Sequence, residues 1–374
     1  MISPTILYTS EFRIPFLEYP SSDLEKILYQ FNHQPRKKLF ELGILENEKY
    51  GQSALTPLGI AIIEKIKDIL REISKKYGFI EYGYVPLLDP QLFIISGRYD
   101  KFKEDMLHIR ELSAVLHPTA EEWFLYLFKK NRININKAKE FLSVYHFAIF
   151  FRNTTRRKKP IRSKVFNLYS GYIIASIDKR DEIQKLLNLF FEDTWKAFGL
   201  YNNIKIAKNI DPNKVYIDYI IENEEGDDFY YVTKDGTIFL GKSNILQDLK
   251  KIRGISIGMF SEFQDLPIKY ELKNYTLFAY AIGLERLLYA IYSINLQPTV
   301  SYIDLYVIPI FKIKSKEDYR FILQKLTQDF DLRDKNIIII DDRKASVDNK
   351  IQYAKLIGSK KIIKVGKYEE IEVT

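Results

Sequence analysis

Three stretches of the chain carry the residue types needed to hold a nucleoside triphosphate. HFAIFFRN (146–153) carries Arg152 at its end, next to Asn153, and after the basic turn TTRRKKP the chain resumes in IRSKVFNLYSGYIIAS (161–176), which carries Phe166. A guanidinium at the end of a rigid strand can clamp a phosphate oxygen through two N–H groups, and a phenyl ring on the neighbouring strand can cover an adenine face. Farther on, TLFAYAI meets Gly283 and runs straight into LERLLYAIYSI. Arg286 therefore sits one turn into a helix, where backbone N–H groups and the helix dipole already favour an anion. Two arginines meeting one triphosphate from opposite sides would offset the charge that builds up during adenylyl transfer. Each residue alone has an ordinary alternative: a strand-end ion pair, a solvated basic turn, Phe166 in the core, Glu285 as a surface helix charge. Order and spacing favour the joint reading.

Other chemistries are excluded or narrowed by composition. The 374 residues include no cysteine, which rules out disulfides, thiol catalysis and thiolate zinc sites. The histidines His33, His108, His117 and His146 are scattered, so a structural zinc is not expected and no metal ligand is assigned. A formal charge of +8 suggests a polyanionic partner, against the plainer alternative of a solvated lysine-rich surface. MISPTILYTSEFRIPF has no basic leader followed by a long apolar stretch, and nowhere do about 18 apolar residues run together. A soluble cytoplasmic protein without membrane association is expected.

The elements that must position these residues follow from local grammar. Thr56-Pro57 is a helix start, with Ile60, Ile63, Ile66, Leu70 and Ile73 at helical spacing up to Gly78, and 79–88 reads as a strand closing on Pro86. Thr119 and Glu122 stand in capping-box register. Residues 146–153 and 161–176 form a long hairpin, 179–200 a helix, and 201–270 short strands and turns. After Gln297-Pro298, YIDLYVIPI, DYRFILQKLTQDF, NIIIIDD, KIQYAKLI and KKIIKVG alternate strand with helix, the pattern of a small α/β domain with a mainly parallel sheet.

From about residue 36 onward the chain resembles the class II aminoacyl-tRNA synthetases, and within them the bacterial-type prolyl-tRNA synthetases. GQSALTPLGIAIIEKIKDILREISKKYGFIEYGYVPLL is similar to the first class II motif, which implies a homodimer interface over 57–88. LFIISGRYDKF and AVLHPTAEE resemble the segments that hold the amino acid, which implies that role for Thr119 and Glu121. FFRNTTRRKKPIRSKVF resembles the second motif and AIGLERLLYAI the third. Arg152 would then meet the α-phosphate, Phe166 the adenine, and Arg286 the γ-phosphate beside Gly283. DDRKASVDNKIQYAKLIGSKKIIKVGK is similar to the anticodon-binding domain of this group. The resemblance thus implies an α+β fold, with a catalytic domain over 1–295 (an N-terminal extension over 1–50) and an anticodon-binding-type α/β domain over 302–374. It also implies ATP and Mg²⁺ as cofactors and tRNA as partner, with contacts from Arg156, Arg157, Lys158, Lys159, Asp342 and Arg343. Arg152 and Arg286 are the catalytic assignments.

Departures from the family pattern keep a second reading open. The acid two residues after the second-motif arginine is Thr154, the return strand reads Lys164-Val165-Phe166 without its acid, and Ile255-Ser256-Ile257-Gly258-Met259-Phe260 lacks an acid and a histidine. The first glycine of the third motif is Ala281. Replacing one such carboxylate costs about 1.5–3 kcal/mol, roughly ten- to a hundred-fold in affinity. The chain is therefore either an ATP-dependent ligase that activates an amino acid, proline first, and transfers it to tRNA, or a degenerate paralogue serving as a nucleic-acid-binding accessory or regulatory subunit. About 100 residues separate Ala175 from Thr276, too few for the editing domain many bacterial prolyl enzymes insert there.

Overall fold

A computed structural model describes residues 4–47, 53–135, 140–153, 162–211, 214–226, 228–240, 249–294, 297–332, 337–367 and 372–373. The basic turn residues Arg156, Arg157, Lys158 and Lys159, and Thr154, lie outside the described residues. The chain divides into two compact units: Met1–Glu48, Ser53–Ile66 and Ile291–Thr374 in one, Lys49–Gln52 and Lys67–Ala290 in the other. The N-terminal residues thus group with the C-terminal ones, whereas the sequence places 1–50 with the catalytic body.

Helix α1 (Pro57–Lys76) starts as its sequence dictates, Thr56 Oγ1 accepting the Gly59 N–H at 3.1 Å. The larger unit then carries β1 (Ile80–Glu81), α2 (Glu121–Lys129), β2 (Phe141–Phe151), β3 (Val165–Ser176), α3 (Arg180–Ala197), β4 (Lys205–Asn209), β5 (Tyr216–Glu222), β6 (Asp228–Val232), β7 (Ile238–Leu240), β8 (Lys250–Phe263), β9 (Tyr275–Gly283) and the start of α4 (Leu284–Ile294), up to Ala290. Residues 79–88 are not one strand. Ile80–Glu81 joins the large sheet, while Leu87–Leu88 joins a three-stranded sheet with Leu107–Ile109 and Ala114–Leu116. Gly83 and Pro86 stand between them, the first without side-chain packing and the second without an N–H for the ladder.

The large sheet has nine strands in the order β5-β4-β7-β6-β8-β9-β3-β2-β1, and β5 also pairs with β8. Strands β2, β3, β9 and β8 are antiparallel neighbours, as the hairpin reading requires. The extra pairing closes β4 to β8 into a circuit whose small core takes Ala207, Ile220, Tyr230, Ile238 and Ile252, one from each strand. Strand β8 joins the two parts of this arrangement, pairing with β6 over 250–254, with β5 over 254–261 and with β9 over 258–263. Its glycines permit the crowding: a Cβ on Gly258 would lie 2.9 Å from the Trp195 ring on α3. One core cluster of the unit joins Phe124 and Leu125 of α2 to Leu142, Val144, Phe150, Tyr172, Ile174 and Leu277 of the sheet.

In the smaller unit β10 (Leu305–Pro309), α5 (Lys316–Asp329), β11 (Ile337–Ile340), α6 (Val347–Leu356) and β12 (Ile362–Val365) form the expected alternation. Strand β10 pairs in parallel with β11 and β12, and the N-terminal strand Thr5–Tyr8 extends the sheet by pairing in parallel with β11. No helix among the described residues is long and apolar enough to cross a membrane.

Candidate active site

A cavity of about 410 Å³ opens in the larger unit, and Arg152, Phe166, Gly283 and Arg286 all line it. Four residues from two separate sequence motifs therefore share one space. Adjacent strands explain the convergence. Arg152 follows β2, Phe166 lies on β3, Gly283 ends β9, and Arg286 occupies the first turn of α4.

Each side chain is held in place. Arg152 Nε and Nη2 both donate to the Pro118 carbonyl, at 3.1 and 3.0 Å, and its guanidinium carbon lies 5.3 Å from the Phe166 ring centre. Arg286 Nη1 donates to the Ser256 carbonyl at 2.8 Å. Burial holds the Arg152 guanidinium below its ordinary value, with the Arg286 charge acting in the same direction and the Glu121 and Asp105 charges against it, so cations and carboxylates are interleaved around the cavity. Glu285 is not a free surface charge. It accepts the Asn167 N–H at 3.0 Å and the Asn167 side-chain amide at 2.6 Å, fastening α4 to the residue after Phe166.

Thr119 and Glu121 are buried beside this cavity but do not line it. The Thr119 hydroxyl donates to Glu121 rather than capping α2, so the capping-box register seen in the sequence does not form. Arg98 Nη1 lies 3.5 Å from Glu121 and 3.0 Å from Glu122, and Ser96 Oγ donates to Glu122 at 3.1 Å. Burial and the adjacent Glu121 charge push the Glu122 carboxyl upward. The bond from Arg152 to Pro118 ties this acidic cluster to the arginine, so an amine held by Glu121 and a phosphate held by Arg152 would be neighbours.

Sequence reasoning missed several lining residues: Tyr216 and Asp218 on β5, Asp228 and Tyr230 on β6, and Arg162. Arg162 Nη2 pairs with Asp228 at 3.3 Å. Asp218 accepts from Ser256 Oγ at 2.5 Å and from Tyr230 OH at 2.9 Å. The available signal was an acid inside the apolar run YIDYII, where a charge is costly unless partnered. Asp342 and Arg343 belong to the smaller unit. Asp342 accepts from Ser10 N at 2.8 Å, Ser10 Oγ at 2.6 Å and Tyr319 OH at 2.7 Å, and Arg343 Nε donates to the Thr9 carbonyl at 2.5 Å.

No family model matches the chain. Its sequence is similar to proline–tRNA ligases: 29% identical over 196 residues to that of Lactococcus lactis subsp. lactis, covering 51% of this chain and 30% of that protein, and 26% identical over 262 residues to that of Pelagibacter ubique, covering 66% and 56%. The matched stretch thus spans between under a third and just over half of these relatives. Among solved structures, prolyl-tRNA synthetase of Giardia lamblia in complex with prolyl-adenylate superposes with a TM-score of 0.65 at 14% identity, covering 91% of this chain and 70% of that one. The Cryptosporidium parvum enzyme complexed with L-proline and AMP gives 0.66 at 12% identity, covering 95% and 74%. This is a class II synthetase fold. By sequence its relatives are of the prolyl type.

Proposed function

We propose that this class II chain activates an amino acid, proline first, with ATP and transfers it to tRNA. The observation that carries the reading is the convergence of Arg152, Phe166, Gly283 and Arg286 on one open cavity of about 410 Å³, within the range of cavities that hold small ligands. Likeness to proline–tRNA ligases and to a synthetase holding prolyl-adenylate supports the same substrate class.

In this reading adenine lies against Phe166 and the amine against Glu121 and Thr119. The amino-acid carboxylate attacks the α-phosphorus, a new P–O bond forms, and the bond to the β,γ-pyrophosphate breaks. Arg152 and Arg286 stabilise the charge spread over the equatorial oxygens and the leaving pyrophosphate. No side-chain nucleophile is required. A ribose hydroxyl of tRNA then displaces AMP from the acyl carbon. Among the described residues no three His, Asp or Glu side chains group as a protein-built metal site, so Mg²⁺ would arrive on the phosphate oxygens, as it commonly does. Residues 302–374 would act as an anticodon-binding-type domain, and the chain as a homodimer.

The test is ATP–pyrophosphate exchange with each amino acid. Proline-dependent exchange that falls at least a hundred-fold in Arg286→Ala supports the reading. Absence of exchange with all amino acids, alongside measurable RNA or DNA binding, would instead establish the accessory-subunit reading, which the acid-free positions 165 and 256 favour.

A further inference from the structure

Asp218 is an ionisable group of the cavity to which the activation chemistry above gives no task. Asp218 is 2% exposed on β5, yet it lines the cavity and both its oxygens are engaged, Oδ1 by Ser256 Oγ and Oδ2 by Tyr230 OH. Ser256 gives its own backbone carbonyl to Arg286 Nη1 at 2.8 Å. A continuous path therefore runs from a buried carboxylate, through one serine, to the guanidinium that would meet the polyphosphate. Strand pairing makes this path possible, because β5 and β8 are neighbours only through the pairing that closes the small circuit of strands.

We propose that Asp218 is a positioning residue for Arg286: by gripping Ser256 it aims the guanidinium, and its negative charge competes with a bound polyphosphate for that guanidinium. This rests on the nucleotide reading of the cavity. The groups facing Asp218 are Tyr216 on its own strand, Asp228 and Tyr230 on β6, Ser256 on β8 and Arg286 on α4. Burial drives the Asp218 carboxyl up to about 7, against the pull of Ser256, Tyr230 and Arg286, so it changes charge near neutrality. A polyphosphate entering beside it disfavours the ionised form further. Binding therefore takes up a proton, and affinity rises as pH falls through this range.

The experiment is calorimetric titration of the full chain with magnesium-saturated ATP at pH 6, 7 and 8, for the wild type and Asp218→Asn. Affinity of the wild type is expected to fall about three- to ten-fold from pH 6 to 8 relative to Asp218→Asn, a displacement of one pKa unit corresponding to tenfold. Asp218→Asn is expected to bind at pH 8 about as tightly as the wild type at pH 6. Changes in the nucleotide's own ionisation are common to both proteins, so the difference belongs to residue 218. Parallel pH profiles, or a uniform loss of affinity together with a lowered melting temperature, would overturn the proposal and leave the nucleotide reading standing. Absence of ATP binding at every pH would overturn both. Should Asp218→Asn fail to fold, proton uptake by the wild type decides: repeating the titration at pH 7 in buffers of different ionisation enthalpy is expected to show a fraction of a proton taken up, and none taken up overturns the proposal.

Discussion

Arg152 does three things at once, and a lysine can copy only one of them. It gives two N–H groups to the Pro118 carbonyl, holds its guanidinium carbon 5.3 Å from the Phe166 ring centre, and presents its charge to the cavity. Lysine keeps the charge but loses the planar fork and most of the stacking, so Arg152→Lys is expected to lower kcat/KM for exchange roughly ten- to a hundred-fold. Phe166→Ala removes the face offered to adenine together with the ring's contacts to Arg152 and Phe150. Base–aromatic stacking is worth about 1–3 kcal/mol, so its KM for ATP is expected to rise about five- to a hundred-fold with kcat held near the wild type. A kcat loss without a KM change in steady-state exchange would show that the ring is core, not an adenine platform. These residues were legible because each sits in a local pattern, a strand end or a helix start, that can be read without knowing the fold. Asp218 was not legible in the same way. Its meaning depends on Ser256 and Tyr230, which reach it only across strand pairings, and nothing local in YIDYII announces them.

The N-terminal strand Thr5–Tyr8 shows the same limit one level up. Its residues look unremarkable beside Pro15 and Pro20, yet it pairs with β11 and carries the chain into a buried polar cluster. Thr9, fully buried, donates to Asp341 Oδ1 at 2.9 Å; Tyr306 OH gives Asp341 a bond of 2.6 Å, and Lys350 Nζ lies 3.5 Å away. The alternation of β10, β11 and β12 could be read from periodicity because parallel strands buried on both faces are continuous apolar runs, as in NIIIIDD. The added edge strand has no such signature. Thr9→Val keeps the shape but withdraws the hydroxyl, leaving a buried carboxylate short of a donor, and should cost about 1–3 kcal/mol in urea unfolding. The smaller unit would then lose stability while the exchange site, built wholly from the larger unit, keeps its KM for ATP. A threonine that merely fills space would give less than about 0.5 kcal/mol.

At the scale of the molecule the excess of 57 basic over 49 acidic residues gains meaning only when it is assigned to a surface. Arg152 and Arg286 are committed to the cavity, and Arg343 gives its Nε to the Thr9 carbonyl, so these do not account for a general attraction to polyanions. Arg156, Arg157, Lys158 and Lys159 follow directly on the strand that ends beside the cavity, which makes them the residues expected to meet an RNA strand whose end must reach the activated amino acid. Each phosphate contact releases condensed counterions and contributes about 0.7–0.9 to the slope of log K against log salt. Replacing all four by alanine should therefore lower the slope for a tRNA transcript, measured by fluorescence anisotropy between 50 and 200 mM salt, by about three. Arg343→Ala should leave the slope unchanged and lower the melting temperature instead, because its guanidinium secures the N-terminal segment. If the two results were exchanged, with Arg343→Ala reducing the slope by about one and the fourfold variant leaving it alone, Arg343 would itself contact RNA as part of the anticodon-binding-type domain and the four basic residues after β2 would not meet it.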